Sequence, residues 1–166
     1  MTQDALQNNP QPRRKRGPRP LDMRRRLRYG AETALAYFVY GFFAVLPVAA
    51  ASATGGFLLA RLGPRMGISK TARANLLRAF PDKPEKERED ILRGMWDNLG
   101  RVIAEYPHLR RIAARCEVEG IEHFEAVRAG GIFFGGHIAN WEVCGLLALR
   151  YGMRVNLLYR KPNNPW

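Results

Sequence analysis

The sequence predicts an α/β protein whose globular part follows an N-terminal membrane-anchor helix. Two observations support this prediction. An uncharged run of 28 residues extends from Thr33 to Ala60, and the last third of the chain alternates short apolar segments with amphipathic ones. Strands and helices that alternate at this spacing are typical of a βαβ unit, which requires a parallel sheet and a right-handed crossover.

The composition adds a strong positive charge. The chain has 166 residues and a formal net charge of +12, from 27 basic and 15 acidic side chains. This charge favours a polyanionic partner, whether nucleic acid, anionic lipid or an acidic carrier. Residues 1–28 are Arg-rich and begin with a Pro-, Gln- and Asn-rich stretch, so they are predicted to be a disordered basic arm. The two cysteines, Cys116 and Cys144, fall in a predicted strand and helix, which indicates buried free thiols without a disulfide framework.

Residues 29–61 are predicted to form the membrane anchor. A helix of this length can cross a hydrocarbon core of about 30 Å, and the run is too long for a signal peptide. Pro47 interrupts it, and two helices broken there would each be too short to span. A re-entrant or interfacial anchor and a buried core helix therefore stay open as alternatives. Basic residues are more numerous before the run than after it, which by itself would export the rest of the chain.

Residues 62–166 are predicted to form the α/β domain. A short helix over 70–78, capped by Ser69, comes first. A long amphipathic helix follows from Pro84 to about Tyr106, because apolar residues recur there with helical spacing and acidic residues enrich its first turn. Beyond it we expect strands at 116–119, 131–135 and 154–159, with helices at 121–128 and 140–150 between them.

One turn of the predicted domain carries the candidate catalytic residues. The segment GGIFFGGHIANWEVCG, from Gly130 to Gly145, leads from an apolar strand through two glycines to a histidine and the start of a helix. Ligands of open α/β sheets bind beyond the carboxyl ends of the strands, which is where His137 would lie. Gly135 and Gly136 would allow a tight turn and leave the imidazole accessible to a substrate.

Glu142 follows the histidine by five residues and would lie in the first turn of the helix, where the helix dipole favours its charge. Asn140 would cap that helix. The loop can fold so that the Glu142 carboxylate accepts one imidazole N–H, which leaves the other nitrogen of His137 free to take a proton. The same residues also fit a structural interpretation, in which the histidine is a hydrogen-bonded turn residue and the glutamate only a helix-dipole acid.

Two other kinds of site have little support. His108 and His123 show no metal-ligand spacing with His137, so no metal is expected. Cys144 lies too far inside the helix to be an activated nucleophile.

The string GHIANWE, from Gly136 to Glu142, resembles the H-x4-D/E signature of glycerolipid-type acyltransferases. Its fuller form, H-x-x-N-W-E, is similar to the late acyltransferases of lipid A biosynthesis, the lauroyl/myristoyl transferase family. Four further blocks match in the right order, and the resemblance covers nearly all of residues 30–166; the blocks are RANLLRAFPD (73–82), WDNLGR (96–101), VEGIEHFEAVRAGGIFFGGH (118–137) and LLYRKPNNP (157–165).

This resemblance implies a glycerolipid-acyltransferase-like α/β domain and an O-acyltransferase. The enzyme would move a fatty acyl chain from the thioester of an acyl carrier protein to a hydroxyl of a lipid A precursor. By the match to the family motif, His137 would be the general base and Glu142 would orient it and balance its charge. Arg160 would bind phosphate or the anionic arm of the donor. The resemblance implies no metal and no cofactor.

The remaining motif positions are assigned to the substrate-binding turn, with Asn140, Trp141 and Gly136 shaping it. The carrier, the lipid A precursor and a membrane are the expected partners, and nucleic acid is not. We therefore expect the bacterial inner membrane with the active site facing the cytoplasm, because the carrier is cytoplasmic. This expectation disagrees with the export that the charge count alone would give.

Family members continue well beyond Trp166, so the chain resembles the N-terminal part of such an enzyme and is expected to be inactive by itself. Three alternatives remain at this stage. The chain could acylate another glycolipid from a coenzyme A thioester, or it could be a non-catalytic membrane scaffold. A membrane-anchored nucleic-acid binder is the third, although the globular part carries no nucleic-acid motif.

Overall fold

The computed structural model describes residues 22–127, 130–136 and 138–156. Within these ranges the regular structure is helical, with 3-10 turns at Gly63–Arg65 and Tyr106–His108. The α-helices are α1 (Met23–Ala44), α2 (Val48–Leu62), α3 (Ser69–Ala79), α4 (Glu85–Glu105), α5 (Leu109–Arg115), α6 (Ile121–Ala126) and α7 (Glu142–Arg150). The helices predicted after residue 69 are thus confirmed as α3, α4, α6 and α7, with ends that shift by a few residues.

The α/β prediction is wrong for the part of the chain that the structure describes. Residues 116–119, 131–135 and 154–156 form no strand, and 157–159 lie outside the described residues. A strand is stable only when a neighbouring strand pairs its backbone N–H and C=O groups, and the described ranges contain no such neighbour. Ile132 and Phe134 are 83% and 93% exposed, so these two side chains are not covered by a layer of the described residues.

The uncharged run forms two helices where one membrane-spanning helix was predicted. α1 ends at Ala44 and α2 begins at Val48, directly after Pro47. Proline lacks an N–H and its ring clashes with the preceding turn, so a continuous helix is broken there. The uncharged parts of α1 and α2 are about 18 Å and 20 Å long at a rise of about 1.5 Å per residue. Both fall short of a hydrocarbon core of about 30 Å.

The predicted spanning anchor is therefore wrong. None of the helices in the described ranges has the length and apolar character needed to cross a bilayer.

Glycines allow α2 and α4 to pack at close range. A Cβ added to Gly55 would collide with the carbonyl oxygen of Gly100, and a Cβ on Gly100 would collide with the backbone of Gly55. One on Gly56 would come within 2.5 Å of a carboxylate oxygen of Asp97. Because backbone meets backbone here, only glycine fits at the centre of the interface, and this contact holds the C-terminal half of α4 against α2.

A buried tryptophan joins the start of α3 to α4. Trp96 is 6% exposed, and its indole Nε1 donates to the Ser69 hydroxyl over 2.9 Å. That hydroxyl in turn donates to the carbonyl oxygen of Gly63 over 2.6 Å. Ser69 therefore connects two elements and does not cap the helix as predicted, since Ile68 occupies the cap position.

An ion pair also links α3 to α4. Arg73 donates to both carboxylate oxygens of Glu89, over 2.9 Å at Oε2. This hydrogen bond, together with the positive charge, lowers the pKa of the Glu89 carboxyl from its ordinary value. The pair is partly exposed to solvent, so its contribution depends on salt and pH.

The end of α1 is attached to the end of α4 through a histidine. His108 is 3% exposed, and its Nε2 donates to the carbonyl oxygen of Phe43 over 3.0 Å. Phe43 packs in a small core with Ala51 and Ala104. The histidine thus satisfies a carbonyl near the end of α1, and its role is structural.

Both cysteines are free thiols, as predicted, but neither is buried. Cys116 is half-buried at the end of α5, where its Sγ donates to the carbonyl oxygen of Ile112 over 3.3 Å. Cys144 is exposed on α7. The prediction of two buried thiols is therefore wrong, because the strand expected around Cys116 is absent and α7 has one face open to solvent.

Candidate active site

The start of α7 lies against the end of α4. Glu142 is the first residue of α7, where the helix dipole favours a negative charge. The Tyr106 hydroxyl donates to Glu142 Oε1 over 2.9 Å, across 36 positions of sequence. The side chain of Glu142 is thus contacted from outside its own helix.

The environment of Tyr106, including its bond to Glu142, changes the pKa of its phenol. Burial raises the pKa of the Tyr106 phenol above its ordinary value, and the hydrogen bond to Glu142 and the charge of that carboxylate raise it further. The phenol consequently stays protonated at neutral pH and remains a donor to the glutamate.

Glu105, the last residue of α4, forms a second hydrogen-bonded cluster next to Tyr106. Glu105 Oε2 accepts from the side-chain Nδ2 of Asn140 over 2.9 Å. Its other oxygen, Oε1, accepts from the Ser52 hydroxyl of α2 over 2.7 Å. Asn140 was predicted to cap α7, and this is wrong: Trp141 occupies the cap position, and none of the described side chains makes a capping hydrogen bond there. The amide of Asn140 is directed at the neighbouring helix instead.

The backbone of the turn is left-handed at Ala139, with φ of 47°. A non-glycine residue rarely adopts this conformation, because its Cβ approaches the following carbonyl oxygen. Gly136 was expected to provide the tight turn, but its φ lies outside the left-handed region, and among the described residues a Cβ there would meet the side chain of Ile138. Among the described residues just before α7, Ala139 is thus the one with a left-handed backbone.

The structure describes four of the predicted site residues: Gly136, and the consecutive Asn140, Trp141 and Glu142 at the start of α7. Asn140 and Glu142 are both tied to the end of α4. His137 and Arg160 lie outside the described residues, so the predicted pairing of His137 with Glu142 stays a prediction.

The sequence interpretation missed three residues of this region. Ser52 was read as part of the anchor, Tyr106 as part of an apolar stripe, and Glu105 was not singled out. Glu105 bonds to Asn140 across 35 positions of sequence, Tyr106 bonds to Glu142 across 36, and Ser52 bonds to Glu105 across 53. No local spacing could have revealed them. The one indication in the sequence was Glu105 itself, because a carboxylate at the C-terminal end of a helix is disfavoured by the helix dipole and therefore suggests another role.

An open cavity of about 400 Å³ lies between α5 and the other end of α7. Two arginines and three apolar residues line it: Arg110, Ala113, Ala114, Leu146 and Arg150. Arg150 also donates to the carbonyl oxygen of Ala113 over 3.3 Å. The arginine at the end of α7 lies about 12 Å along the helix from Glu142, at about 1.5 Å per residue.

The sequence profile described as bacterial lipid A biosynthesis acyltransferase matches residues 22–166. The chain belongs to this family, which assigns it acyltransferase chemistry in lipid A synthesis and a lipid A precursor as substrate. No curated protein and no solved structure matches the chain significantly.

Proposed function

We propose that the protein transfers a fatty acyl chain from the thioester of an acyl carrier protein to a hydroxyl of a lipid A precursor. In this proposal His137 is the general base and Glu142 is the carboxylate that orients it. The observation that carries the proposal is the position of Glu142, which begins α7 five residues after the histidine. Tyr106 engages only Oε1 of this carboxylate, and Oε2 is the oxygen that we propose accepts the imidazole N–H.

The reaction then needs one base and no covalent acyl-enzyme. His137 takes the proton of the acceptor hydroxyl while that oxygen attacks the thioester carbonyl carbon. The tetrahedral intermediate collapses, the C–S bond breaks, and the imidazolium returns the proton to the leaving thiolate. The products are the new ester and the free thiol of the carrier.

Backbone N–H groups are candidates for stabilising the oxyanion. The first hydrogen bonds of α7 are made by the N–H groups of Val143 and Cys144. The N–H groups of residues 139–141 precede these bonds, at the positive end of the helix dipole. Charge developing on the carbonyl oxygen would be favoured at this position.

The positive net charge of the chain supports the proposal that its substrates are acidic. A net charge of +12 suits both an acidic carrier protein and a phosphorylated glycolipid. Within this proposal Arg160 binds a phosphate or the anionic arm of the donor, the task for which a guanidinium is suited.

Exposed apolar side chains on α1 support contact with a lipid surface, where the acceptor would lie. The exposed side chains of this helix and of the residue that follows it include Leu35, Tyr37, Phe38, Tyr40, Phe42 and Val45. Four exposed arginines precede them at the start of the helix: Arg24, Arg25, Arg26 and Arg28. An apolar segment preceded by a basic one suits the boundary of an anionic bilayer. We therefore propose that the protein works at the cytoplasmic face of the bacterial inner membrane.

The test is mass spectrometry of lipid A from a strain in which the chromosomal gene is altered. We expect deletion to remove one acyl chain from lipid A, and Glu142→Gln or His137→Ala to reproduce the deletion. Loss of a general base typically lowers the rate by about 10²–10⁴. Glu122→Gln is the matched control, since Glu122 is a 71% exposed acid on α6, and it should leave lipid A unchanged.

Unaltered lipid A in the His137→Ala strain would refute the enzymatic role and favour a scaffold. The donor is tested separately, with membranes from the same strains supplied with an acyl carrier protein thioester or a coenzyme A thioester. Transfer from the coenzyme A thioester alone would refute the proposed donor.

A further inference from the structure

One carboxylate at the end of α4 receives two hydrogen bonds from distant parts of the chain. Ser52 on α2 donates to Glu105 Oε1 over 2.7 Å, and Asn140 donates to Oε2 over 2.9 Å. All three side chains are half-buried. Two donors that meet two separate oxygens suit an ionised carboxylate, which can only accept. Glu105 therefore connects the turn before α7 to the helix pair α2 and α4.

The amide of Asn140 has one orientation that fits this contact. Its Nδ2 faces Glu105, and its Oδ1 is buried with no hydrogen-bond partner among the described residues. Rotating the amide by about 180° would exchange Nδ2 and Oδ1. Oδ1 would then face the Glu105 carboxylate, and two hydrogen-bond acceptors repel each other. The bond to Glu105 is thus kept although Oδ1 has no partner among the described residues.

The backbone conformation of the residue before Asn140 is also energetically unfavourable by itself. Ala139 is left-handed, with φ of 47°. Such conformations persist where the surrounding contacts over-determine them. The bonds from Asn140 to Glu105 and from Tyr106 to Glu142 hold the turn on both sides of Trp141.

We propose that Glu105 is a positioning residue for the acyl transfer: through Asn140 it fixes the turn that carries His137 and Glu142. This inference rests on the proposed function. Glu105 does not touch the substrate in this arrangement. It keeps the base and its carboxylate in register, which a reaction of this kind requires to within about 0.5 Å.

The test exchanges the amide and the carboxylate between positions 105 and 140. Asn140→Asp sets a second carboxylate opposite Glu105 at a position 2.9 Å away, and two like charges at that distance repel. We expect kcat to fall about tenfold or more, with KM for the thioester donor unchanged. Glu105→Gln alone should be mild, because its carbonyl can accept from Asn140 while its amide donates to the Ser52 hydroxyl.

The double variant Glu105→Gln with Asn140→Asp should recover most of kcat, because the amide and the carboxylate have only changed places. Asn75→Asp on α3 makes the same chemical change at an exposed position and should keep the wild-type kcat. The variants are made in the chromosomal gene, and kcat and KM are measured in membranes of those strains.

A further readout is the dependence of kcat on pH. In Asn140→Asp, protonation of the carboxylate pair at acidic pH removes the repulsion, so the defect relative to wild type should shrink as pH falls. A defect that is constant with pH would overturn the proposal. So would a wild-type kcat in Asn140→Asp, or a double variant as impaired as Asn140→Asp.

If Asn140→Asp does not accumulate in the cell, Glu105→Ala and Glu105→Gln replace it. Loss of kcat in the alanine variant with retention in the glutamine variant supports the proposal, and equal values in both overturn it. A failure of the proposed function is distinguishable, because then the wild-type protein itself would transfer no acyl chain and His137→Ala would have no effect.

Discussion

Replacing Gly100 by alanine should separate two helices. Gly100 lies on α4 at the point where this helix meets Gly55 of α2, and a Cβ there would collide with the carbonyl group of Gly55 and approach the Cα of Gly56 to within 3.0 Å. These are backbone atoms, which cannot rotate away as a side chain would. The only relief is a movement of α2 away from α4.

The size of the effect follows from two opposing contributions. Alanine is favoured over glycine inside a helix by about 1 kcal/mol. Overpacking a well-fitted interface costs about 3 kcal/mol when the backbone must shift. We therefore expect the free energy of unfolding of Gly100→Ala to fall by about 2 kcal/mol. At about 2–4 °C per kcal/mol for a chain of this size, the midpoint falls by about 4–8 °C.

Gly94 supplies the matched control, because it lies on the same helix with nothing within 4 Å of an added Cβ. Gly94→Ala should gain the propensity contribution alone and raise the midpoint by about 2–4 °C. The assay is thermal unfolding followed by far-ultraviolet circular dichroism, with both variants and the wild type under one buffer condition. If Gly100→Ala melts at or above the wild type, the close contact between α2 and α4 is not formed and this reasoning fails.

Two further predictions concern pH. The lowered pKa of Glu89 means that its contribution to stability is present above its ordinary pKa of about 4.3 and is lost as pH falls below that value. The unfolding midpoints of wild type and Glu89→Gln should therefore differ at neutral pH and converge in acid; a constant difference would contradict the ion pair with Arg73. The raised pKa of Tyr106 means that its phenol should ionise above about pH 10. The difference between the ultraviolet titrations of wild type and Tyr106→Phe isolates this group, and Glu142→Gln should move its midpoint back towards 10 but not fully, because burial is the larger cause. A Tyr106 midpoint that ignores Glu142→Gln would contradict their hydrogen bond.

Part of the fold and of the site could be predicted from the sequence, because it depends on residues that are close together along the chain. The acidic start of α4 and its apolar spacing predicted that helix, and Leu92 and Trp96 are buried on it as the spacing required. The position of Glu142 at the start of a helix was predicted for the same reason, since a charge and a helix dipole interact within one turn. The family was also recognised from contiguous motif residues, and the match over residues 22–166 confirms it.

Where a residue's role depends on a distant partner, the sequence interpretation failed. Ser69 and Asn140 have the side chains of helix caps, yet both donate or accept across elements. Capping and long-range bonding use the same polar atoms, and only the approach of another helix decides between them. Glu105 and Tyr106 had no recognisable role until α4 and α7 were seen together.

The sequence by itself predicted α3, α4, α6 and α7, the interruption of the uncharged run at Pro47, and the family to which the chain belongs. These depend on neighbouring residues, whose backbone and side-chain preferences act within one or two turns. Tertiary structure alone decided that residues 131–135 form no strand in the described ranges and that α2 meets α4 through glycines. It also decided that Glu105 and Tyr106 hold the motif turn. Pairing and close packing are properties of two segments at once, so neither segment's own residues can specify them.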